Sequence, residues 1–208
     1  VRSSAASDVY KRQVLDEAFR AEPVRYIGEA LNVYILLEQG DKMLLIDKHA
    51  AHERILFEKL RADTEPVMPQ LLLTPVLCEP EREEAAVLLE NAELLAQYGY
   101  EISDYGDGVL AIRQIPTEIA PDDAAQSLTA LAAELLTGRH ADPTELRDRL
   151  LHTIACKAAI KGGWTSDPAE LKILVEKVQS GEVRYCPHGR PVVVKVTKYE
   201  LEKLFKRA

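Results

Sequence analysis

Residues 33–60 read VYILLEQGDKMLLIDKHAAHERILFEKL, and the spacing of apolar residues changes within this stretch. Two apolar runs, residues 33–37 and 43–46, flank the turn residues Gln39-Gly40-Asp41, which predicts a β-hairpin. From Asp47 onward, apolar residues recur at helical spacing with charged residues between them. We therefore expect a strand to pass directly into a helix at Asp47.

The sequence on either side extends this succession of strands and helices. Capping residues precede two of the helices, with Asp167-Pro168-Ala169-Glu170 before one and Thr197 with Glu200 before the last. The other expected elements are strands over residues 24–28, 100–103, 109–115 and 192–196, and helices over residues 80–98, 121–136, 143–161 and 168–181. The chain is therefore predicted to be an α+β protein.

The composition is that of a globular chain of 208 residues, 47% hydrophobic and 29% charged. Its formal net charge of −8 argues against a protein that binds nucleic acid through its overall charge. Any contact with DNA must therefore be made by a local part of the surface or with the help of another protein. Three cysteines at low density predict thiols of a reducing compartment, either buried or bound to metal. No apolar run approaches the roughly 18 residues of a membrane span, so a cytoplasmic location without membrane partners is expected.

Charge is distributed unevenly along the chain. Residues 65–145 contain 16 acidic residues against three arginines, a local net charge of −13, whereas the remainder carries +5. This predicts an acidic insert over 65–145 that interrupts a mildly basic body over 14–64 and 146–208. Residues 1–13 are small, polar and without periodicity, and we expect a non-native or disordered leader there. DNA should approach the body, and the insert is better suited to protein partners.

The residues around Asp47 form the sharpest candidate for chemistry. His49 and Glu53 are spaced i,i+4 and share one helix face, and Asp47 at the junction can turn its carboxylate toward the same space. One imidazole and two carboxylates suit a divalent cation. Alternatively, Asp47 caps the helix and the other side chains line a solvated face. Glu58 lies about 140° around the helix from Glu53, which favours an orienting role.

Two further patterns contain cysteine. Residues 186–191 read CPHGRP, a rigid loop in which Cys186 and His188 offer a soft and a borderline ligand to one ion. The alternative is an ordinary loop with a free thiol. Residues 155–161 read ACKAAIK, where Cys156 shares a helix face with His152 at i−4. Core packing of Cys156 is the alternative there.

Together these patterns resemble the C-terminal domain of the endonuclease-bearing MutL family of DNA mismatch repair proteins. Residues 47–58 are similar to its DQHA(X)2E(X)4E motif, residues 155–161 to its ACxxAIK segment and residues 186–191 to its CPHGRP loop. Residues 205–207 match its short FxR ending, and the resemblance extends over nearly everything after residue 23. One position departs from the pattern, because Lys48 stands where the family has Gln.

The resemblance implies a mixed α/β dimerisation subdomain with an inserted acidic α+β external regulatory subdomain. It also implies a homodimer and a metal-dependent endonuclease that nicks one strand of duplex DNA, with Zn²⁺ and/or Mn²⁺ and without ATP in this domain. The implied catalytic residues are Asp47, His49, Glu53 and Glu58, and the implied metal ligands are Asp47, His49, Glu53, Cys156, Cys186 and His188. Lys161 and Arg190 are candidate phosphate-binding or supporting groups. Mismatch-recognition proteins are expected partners of the full-length protein, and a nucleoid-associated location is implied.

Residues 70–75, QLLLTP, begin the acidic insert and resemble the family's QxxLxP-like sliding-clamp-binding motif. The resemblance assigns clamp contacts to Gln70, Leu73 and Pro75, in an extended segment that docks into a partner's groove. The alternative is a buried strand whose Leu71 and Leu73 fill the insert's core. A rival reading of the whole chain is a non-catalytic dimerisation and clamp-docking module with a structural zinc. The complete set Asp47, His49, Glu53 and Glu58 favours the enzyme.

Overall fold

A computed structural model describes the protein over residues 22–138, 141–159 and 167–207. Helices and two antiparallel sheets are present in these ranges, which confirms the α+β prediction. Packing divides the chain into two compact units, Val1–Ile55 with Ala159–Ala208, and Leu56–Ala158. The predicted insert over 65–145 was delimited by charge, and its ends differ from the ends of these units, which are delimited by packing. Charged residues are mostly exposed, whereas packing is determined by buried residues. The predicted leader over 1–13 and the candidate Lys161 lie outside the described residues.

The first unit is built on a four-stranded antiparallel sheet in the order β1-β2-β3-β7. Its elements are β1 (Arg25–Ala30), β2 (Tyr34–Gln39), β3 (Lys42–Asp47), α6 (Pro168–Gln179), β7 (Val193–Thr197) and α7 (Lys198–Leu204), and α1 (Lys48–Ala62) begins in this unit. The predicted hairpin is β2–β3, and it turns at Gly40, whose φ of +58° favours glycine. The predicted passage from strand to helix at Asp47 is confirmed.

Alternating residues of the central strands form the core of the first unit. Ile35 and Leu37 on β2 and Leu44 and Ile46 on β3 are buried, as the period of two requires for one covered face. Apolar residues of α6 and of the first turn of α1 complete this core: Ala50, Ala51, Leu171, Leu174 and Val178. Burial of this one stripe accounts for the amphipathic pattern of α6.

Local capping signals set the ends of two helices in the first unit. The Asp167 carboxylate accepts a hydrogen bond from the Ala169 backbone N–H and begins α6. Thr197 and Glu200 form a capping box at the start of α7. Both caps were expected from sequence, because capping depends on residues only two or three positions apart.

The second unit contains a three-stranded antiparallel sheet in the order β4-β6-β5. Its elements are β4 (Pro69–Cys78), α2 (Arg82–Glu90), α3 (Ala92–Gln97), β5 (Glu101–Gly106), β6 (Val109–Pro116), a 3₁₀ turn (Pro121–Asp123), α4 (Ala124–Thr137) and α5 (Pro143–Ala158). The core lies among these elements and includes Leu88, Leu95, Leu110, Ile112, Leu128, Leu131, Leu150 and Ile154.

One predicted helix of this unit is two helices in the structure. Residues 80–98 were expected to be continuous, but Asn91 interrupts them between α2 and α3. Its side-chain N–H group donates to the Val87 backbone carbonyl at 2.8 Å, and its φ of −107° departs from the helical value. An asparagine side chain competes with backbone hydrogen bonding in this way, which explains the break.

A buried tyrosine ties β5 and α4 together. Tyr100 precedes β5, is 1% exposed and donates its phenolic O–H to the Ser127 hydroxyl at 2.8 Å. Burial raises the pKa of Tyr100 well above its ordinary value, and the interaction with the Ser127 hydroxyl opposes part of this shift. The ring is therefore held neutral as a polar group satisfied inside an apolar core. None of the described helices is long and apolar enough to span a bilayer.

Candidate metal centre

Strand pairing in the first unit brings the loop that ends at Pro191 beside the start of α1. β3 pairs with β7, so that Ile46 lies opposite Val193, and the Asp47 N–H donates to the Val192 carbonyl at 2.9 Å. These residues are far apart in sequence. The pairing is therefore what places residues 186–191 next to residues 47–53.

The CPHGRP loop is closed by its own backbone. The Cys186 N–H donates to the Arg190 carbonyl at 2.8 Å, and the Gly189 N–H donates to the Cys186 carbonyl at 2.8 Å. Gly189 has a φ of +79°, which an L-residue with a side chain adopts only with strain. A closed turn of this kind presents His188 from a defined position.

Glu53 and His188 are the candidate ligands that the structure brings together within the first unit. His188 Nδ1 lies 3.6 Å from Glu53 Oε1. The Glu53 side chain is 4% exposed and that of His188 is 49% exposed, so a buried carboxylate faces an imidazole that reaches solvent. Around a tetrahedral zinc, ligand atoms about 2.1 Å from the ion lie about 3.4 Å apart. The separation and chemistry of this pair therefore fit a divalent cation.

Asp47 has the capping role that the alternative interpretation expected. Its Oδ1 accepts a hydrogen bond from the Ala50 backbone N–H at 2.9 Å. A carboxylate has two oxygens and several lone pairs, so capping through one oxygen is compatible with metal ligation through the other. Both interpretations of Asp47 are therefore consistent with its geometry.

His49 and His52 lie in the first two turns of α1. Burial lowers the pKa of His52, nearby Glu170 raises it, and the charge of His49 lowers it further. The net shift favours a neutral His52 imidazole. His49 is partly exposed at the start of α1, between Lys48 and Ala50.

The remaining predicted ligands have different surroundings. Cys186 is 4% exposed and belongs to the apolar core of the first unit. Glu58 and Cys156 belong to the second unit, on α1 and α5 respectively. In that unit, His152 packs its ring edge-to-face against Phe57, with centroids 5.9 Å apart. Their metal roles stay predictions.

Glu29 pairs with Lys48 at the start of α1, and sequence reasoning did not single it out. Its Oε2 lies 2.8 Å from Nζ of Lys48, whose side chain is 0% exposed. The only signal in the sequence is a carboxylate within an apolar strand, RYIGEA, which is common on edge strands. The pairing became visible only when β1 was placed beside β2.

The QLLLTP segment lies on β4 in the second unit. Leu71 is 73% exposed and Leu73 is fully exposed, so the alternative interpretation, in which they fill the core, is wrong. Leu72, which lies between them, packs against the core of the second unit, so the period of two places Leu71 and Leu73 on the uncovered face of β4. The Gln70 side-chain N–H groups donate to the carbonyls of Pro116 at 3.0 Å and Ile119 at 2.7 Å.

A family model described as "MutL C terminal dimerisation domain" matches residues 27–165, about two thirds of the chain. The chain belongs to this family. MutL membership is supported by curated relatives that align over almost the whole chain, and it agrees with the motifs around Asp47, Cys156 and Cys186.

Three MutL relatives illustrate the similarity. The DNA mismatch repair protein MutL of Caldanaerobacter subterraneus subsp. tengcongensis is 33% identical over 189 residues, 90% of this chain and 32% of the relative. The MutL protein of Thermoanaerobacter pseudethanolicus is 31% identical over 193 residues, which cover 92% of this chain and 31% of the relative. The MutL protein of Clostridium botulinum strain Loch Maree is 32% identical over 187 residues, which cover 88% of this chain and 28% of the relative. The chain thus spans about a third of the length of these MutL proteins.

Proposed function

We propose that this chain is the C-terminal part of a DNA mismatch repair protein that homodimerises and, with Zn²⁺ or Mn²⁺ bound, nicks one strand of duplex DNA. The observation that carries the proposal is the pair of Glu53 and His188, a buried carboxylate and an imidazole separated by 3.6 Å. Family membership supports dimerisation, and the relatives' names support a repair role. A cytoplasmic, nucleoid-associated location goes with this proposal.

The residues of the first unit would hold the ion. Glu53 and His188 are the central ligands, and Asp47, His49 and Cys186 are further candidates. When bound, such an ion neutralises charge on phosphoryl oxygens and lowers the pKa of an attacking water. Burial of Glu53 keeps its carboxylate from being screened by solvent, which strengthens its hold on a cation. On the resemblance alone, the proposal also includes Glu58 as an orienting group and Cys156 as a ligand.

Charge supports an assisted mode of DNA binding. The body over 14–64 and 146–208 carries +3 and residues 65–145 carry −13, so phosphate groups are attracted to the body and repelled by the insert. We therefore expect the isolated chain to bind duplex DNA weakly at physiological salt. A sliding clamp, or the rest of a full-length protein, would deliver it.

Metal titration tests the proposed site directly. Calorimetric titration of metal-free protein with Zn²⁺ and with Mn²⁺ should show uptake by the wild type, and His188→Ala should weaken it at least about tenfold, because an imidazole ligand is lost. His140→Ala is the matched control, since His140 lies outside the three motifs at residues 47–58, 155–161 and 186–191. Uptake that is unchanged in His188→Ala would remove the basis of the proposal.

Clamp docking through residues 70–75 is the second part of the proposal. Leu71 and Leu73 are exposed apolar side chains on an edge strand, and such residues anchor a peptide in a partner's groove. The hydrogen bonds of Gln70 to the Pro116 and Ile119 carbonyls hold the start of the segment in place. Gln70 therefore supports the segment's shape, and Pro75 limits its conformation.

Leu73→Ala should weaken binding to a bacterial sliding clamp about tenfold or more, because a central apolar anchor is lost. Tyr105→Ala is a matched control, since Tyr105 is 67% exposed on β5 of the same sheet. Surface plasmon resonance with immobilised clamp measures both. Equal affinities of wild type and Leu73→Ala would exclude this segment as the docking site.

The rival function is a dimerisation and clamp-docking module whose zinc is structural. Burial of Cys186 in the apolar core of the first unit favours it, because a core thiol suits a closed structural site better than an open catalytic one. The two functions differ in whether the protein nicks DNA. A metal-loaded protein that binds the clamp and leaves supercoiled DNA intact would establish the rival.

A further inference from the structure

The last 17 residues of the chain hold all of the excess positive charge of the body. Residues 192–208 contain five lysine or arginine residues against Glu200 and Glu202, a net charge of +3, and the whole body over 14–64 and 146–208 also carries +3. The rest of the body is therefore neutral. A polyanion that is attracted to the body should be attracted to this segment, which contains β7, α7 and the residues after α7.

Both acidic residues of the segment have partners near the start of α7. Glu200 accepts hydrogen bonds from the Thr197 backbone N–H and hydroxyl, each at 2.8 Å. Glu202 Oε1 lies 3.8 Å from Nζ of Lys198, one helical turn away. The three cations at the other end of α7 are exposed: Lys203, Lys206 and Arg207.

A closed turn fixes the backbone that carries these three cations. The Arg207 N–H donates to the Glu202 carbonyl at 2.9 Å, and the Lys206 N–H donates to the Lys203 carbonyl at 3.0 Å, which are the two hydrogen bonds of a Schellman motif. Lys206 has a φ of +56° at the position where such motifs usually have glycine. A lysine there is strained, and it places an exposed positive charge where glycine would stabilise the turn better. Strain of this kind points to a role outside folding.

The guanidinium of Arg207 is oriented by an aromatic ring. Its Cζ lies 5.7 Å from the centroid of Phe205, whose side chain is 72% exposed. A guanidinium stacked in this way keeps its N–H groups in a planar fork, which matches the oxygens of a phosphate group. The end of α7 therefore combines one oriented guanidinium with two ammonium groups.

We propose that Lys203, Lys206 and Arg207 form a contact surface for the phosphate backbone of duplex DNA. This inference rests on the proposed function, which makes duplex DNA the polyanion. At one end of β7 the Val192 carbonyl accepts from the Asp47 N–H, and at the other end Thr197 lies opposite Lys42. Five residues of extended strand span about 17 Å, so α7 begins at that distance from the start of α1. DNA contact by α7 can thus be altered without changing a candidate metal ligand.

Replacing both lysines, Lys203→Gln with Lys206→Gln, should weaken duplex binding about tenfold at about 50 mM salt. The slope of log affinity against log salt concentration should become shallower by about 1.8, because each phosphate contact contributes about 0.9 through released counterions. Fluorescence anisotropy of a labelled duplex measures both quantities on the 208-residue chain, with EDTA present so that no metal-dependent nicking occurs.

Two further variants serve as controls. Lys172→Gln with Lys177→Gln removes the same charge from α6 in the same unit and should leave the salt slope unchanged. Lys206→Gly separates DNA contact from folding, because glycine adopts the left-handed conformation without strain. It should therefore weaken DNA binding without lowering the melting temperature measured by circular dichroism.

Each outcome decides the inference. Equal losses in the two double variants would show that overall charge attracts DNA, and would overturn it. A wild type that does not bind the duplex at about 50 mM salt overturns it as well. If Lys203→Gln with Lys206→Gln keeps its DNA affinity but loses self-association in sedimentation, the surface binds the acidic insert of a second copy instead.

Metal uptake keeps this inference separate from the proposed function. Calorimetric titration with Zn²⁺ should give the same affinity for the wild type and both double variants, because none of the replaced lysines is a candidate ligand. A wild type that takes up neither Zn²⁺ nor Mn²⁺ overturns the proposed function. Loss of the salt-slope pattern alone overturns only the DNA-contact surface.

Discussion

Replacing Glu53 with Gln is expected to reduce metal-dependent nicking by about 100-fold or more. The substitution keeps the shape of a side chain that is 4% exposed and removes its charge. A metal ion contributes several kcal/mol of charge stabilisation in the transition state, and each 1.36 kcal/mol lost is about a tenfold loss of rate. Conversion of supercoiled plasmid to open circles, with Mn²⁺ and a loaded sliding clamp, measures the rate.

The control for this prediction is Glu38→Gln, a carboxylate of the same sheet that pairs with exposed Arg25. It should nick at the wild-type rate. Metal affinity measured on the same preparations shows whether lost nicking follows from lost metal. If Glu53→Gln binds metal and nicks as the wild type does, Glu53 is not a ligand, and its pair with His188 has no role in metal binding.

Leu128→Ala is expected to lower the free energy of unfolding of the second unit by about 2–5 kcal/mol. Leu128 is 0% exposed in the second turn of α4, within the core of that unit. Truncation loses the transfer free energy of the removed carbons and leaves a cavity that neighbouring side chains fill only in part. Urea unfolding followed by circular dichroism measures the change.

Leu73→Ala is the matched control, because it removes the same atoms from a fully exposed side chain. A surface substitution of this kind should change the unfolding free energy by no more than about 0.5 kcal/mol. Comparable losses in both variants would contradict the burial assigned to Leu128 and the exposure assigned to Leu73.

Much of the fold was predictable because its signals are local. The β2–β3 hairpin follows from apolar alternation around Gly40, and α6 and α7 begin at caps formed by residues two or three positions apart. The shared face of His49 and Glu53 was likewise predictable, because helical spacing alone places residues i and i+4 on one side of a helix.

Other features depend on partners that are distant in sequence. Sequence spacing predicts that Leu71 and Leu73 share a face of β4, but it does not say which face is covered. Leu72 packs against the core of the second unit, which leaves Leu71 and Leu73 on the exposed face. Nothing in the local sequence marks Asn91 as a helix end. Its side-chain hydrogen bond to the Val87 carbonyl divided the expected helix.

The order of strands and helices, their caps and the face shared by His49 and Glu53 follow from the sequence alone, because each depends on neighbours within a turn or a hairpin. Tertiary structure decided the rest. The pairing of β3 with β7 placed His188 3.6 Å from Glu53, and the β1–β2 hairpin placed Glu29 against buried Lys48. Contacts between distant segments depend on which faces pack together to exclude water, and no local pattern contains that information.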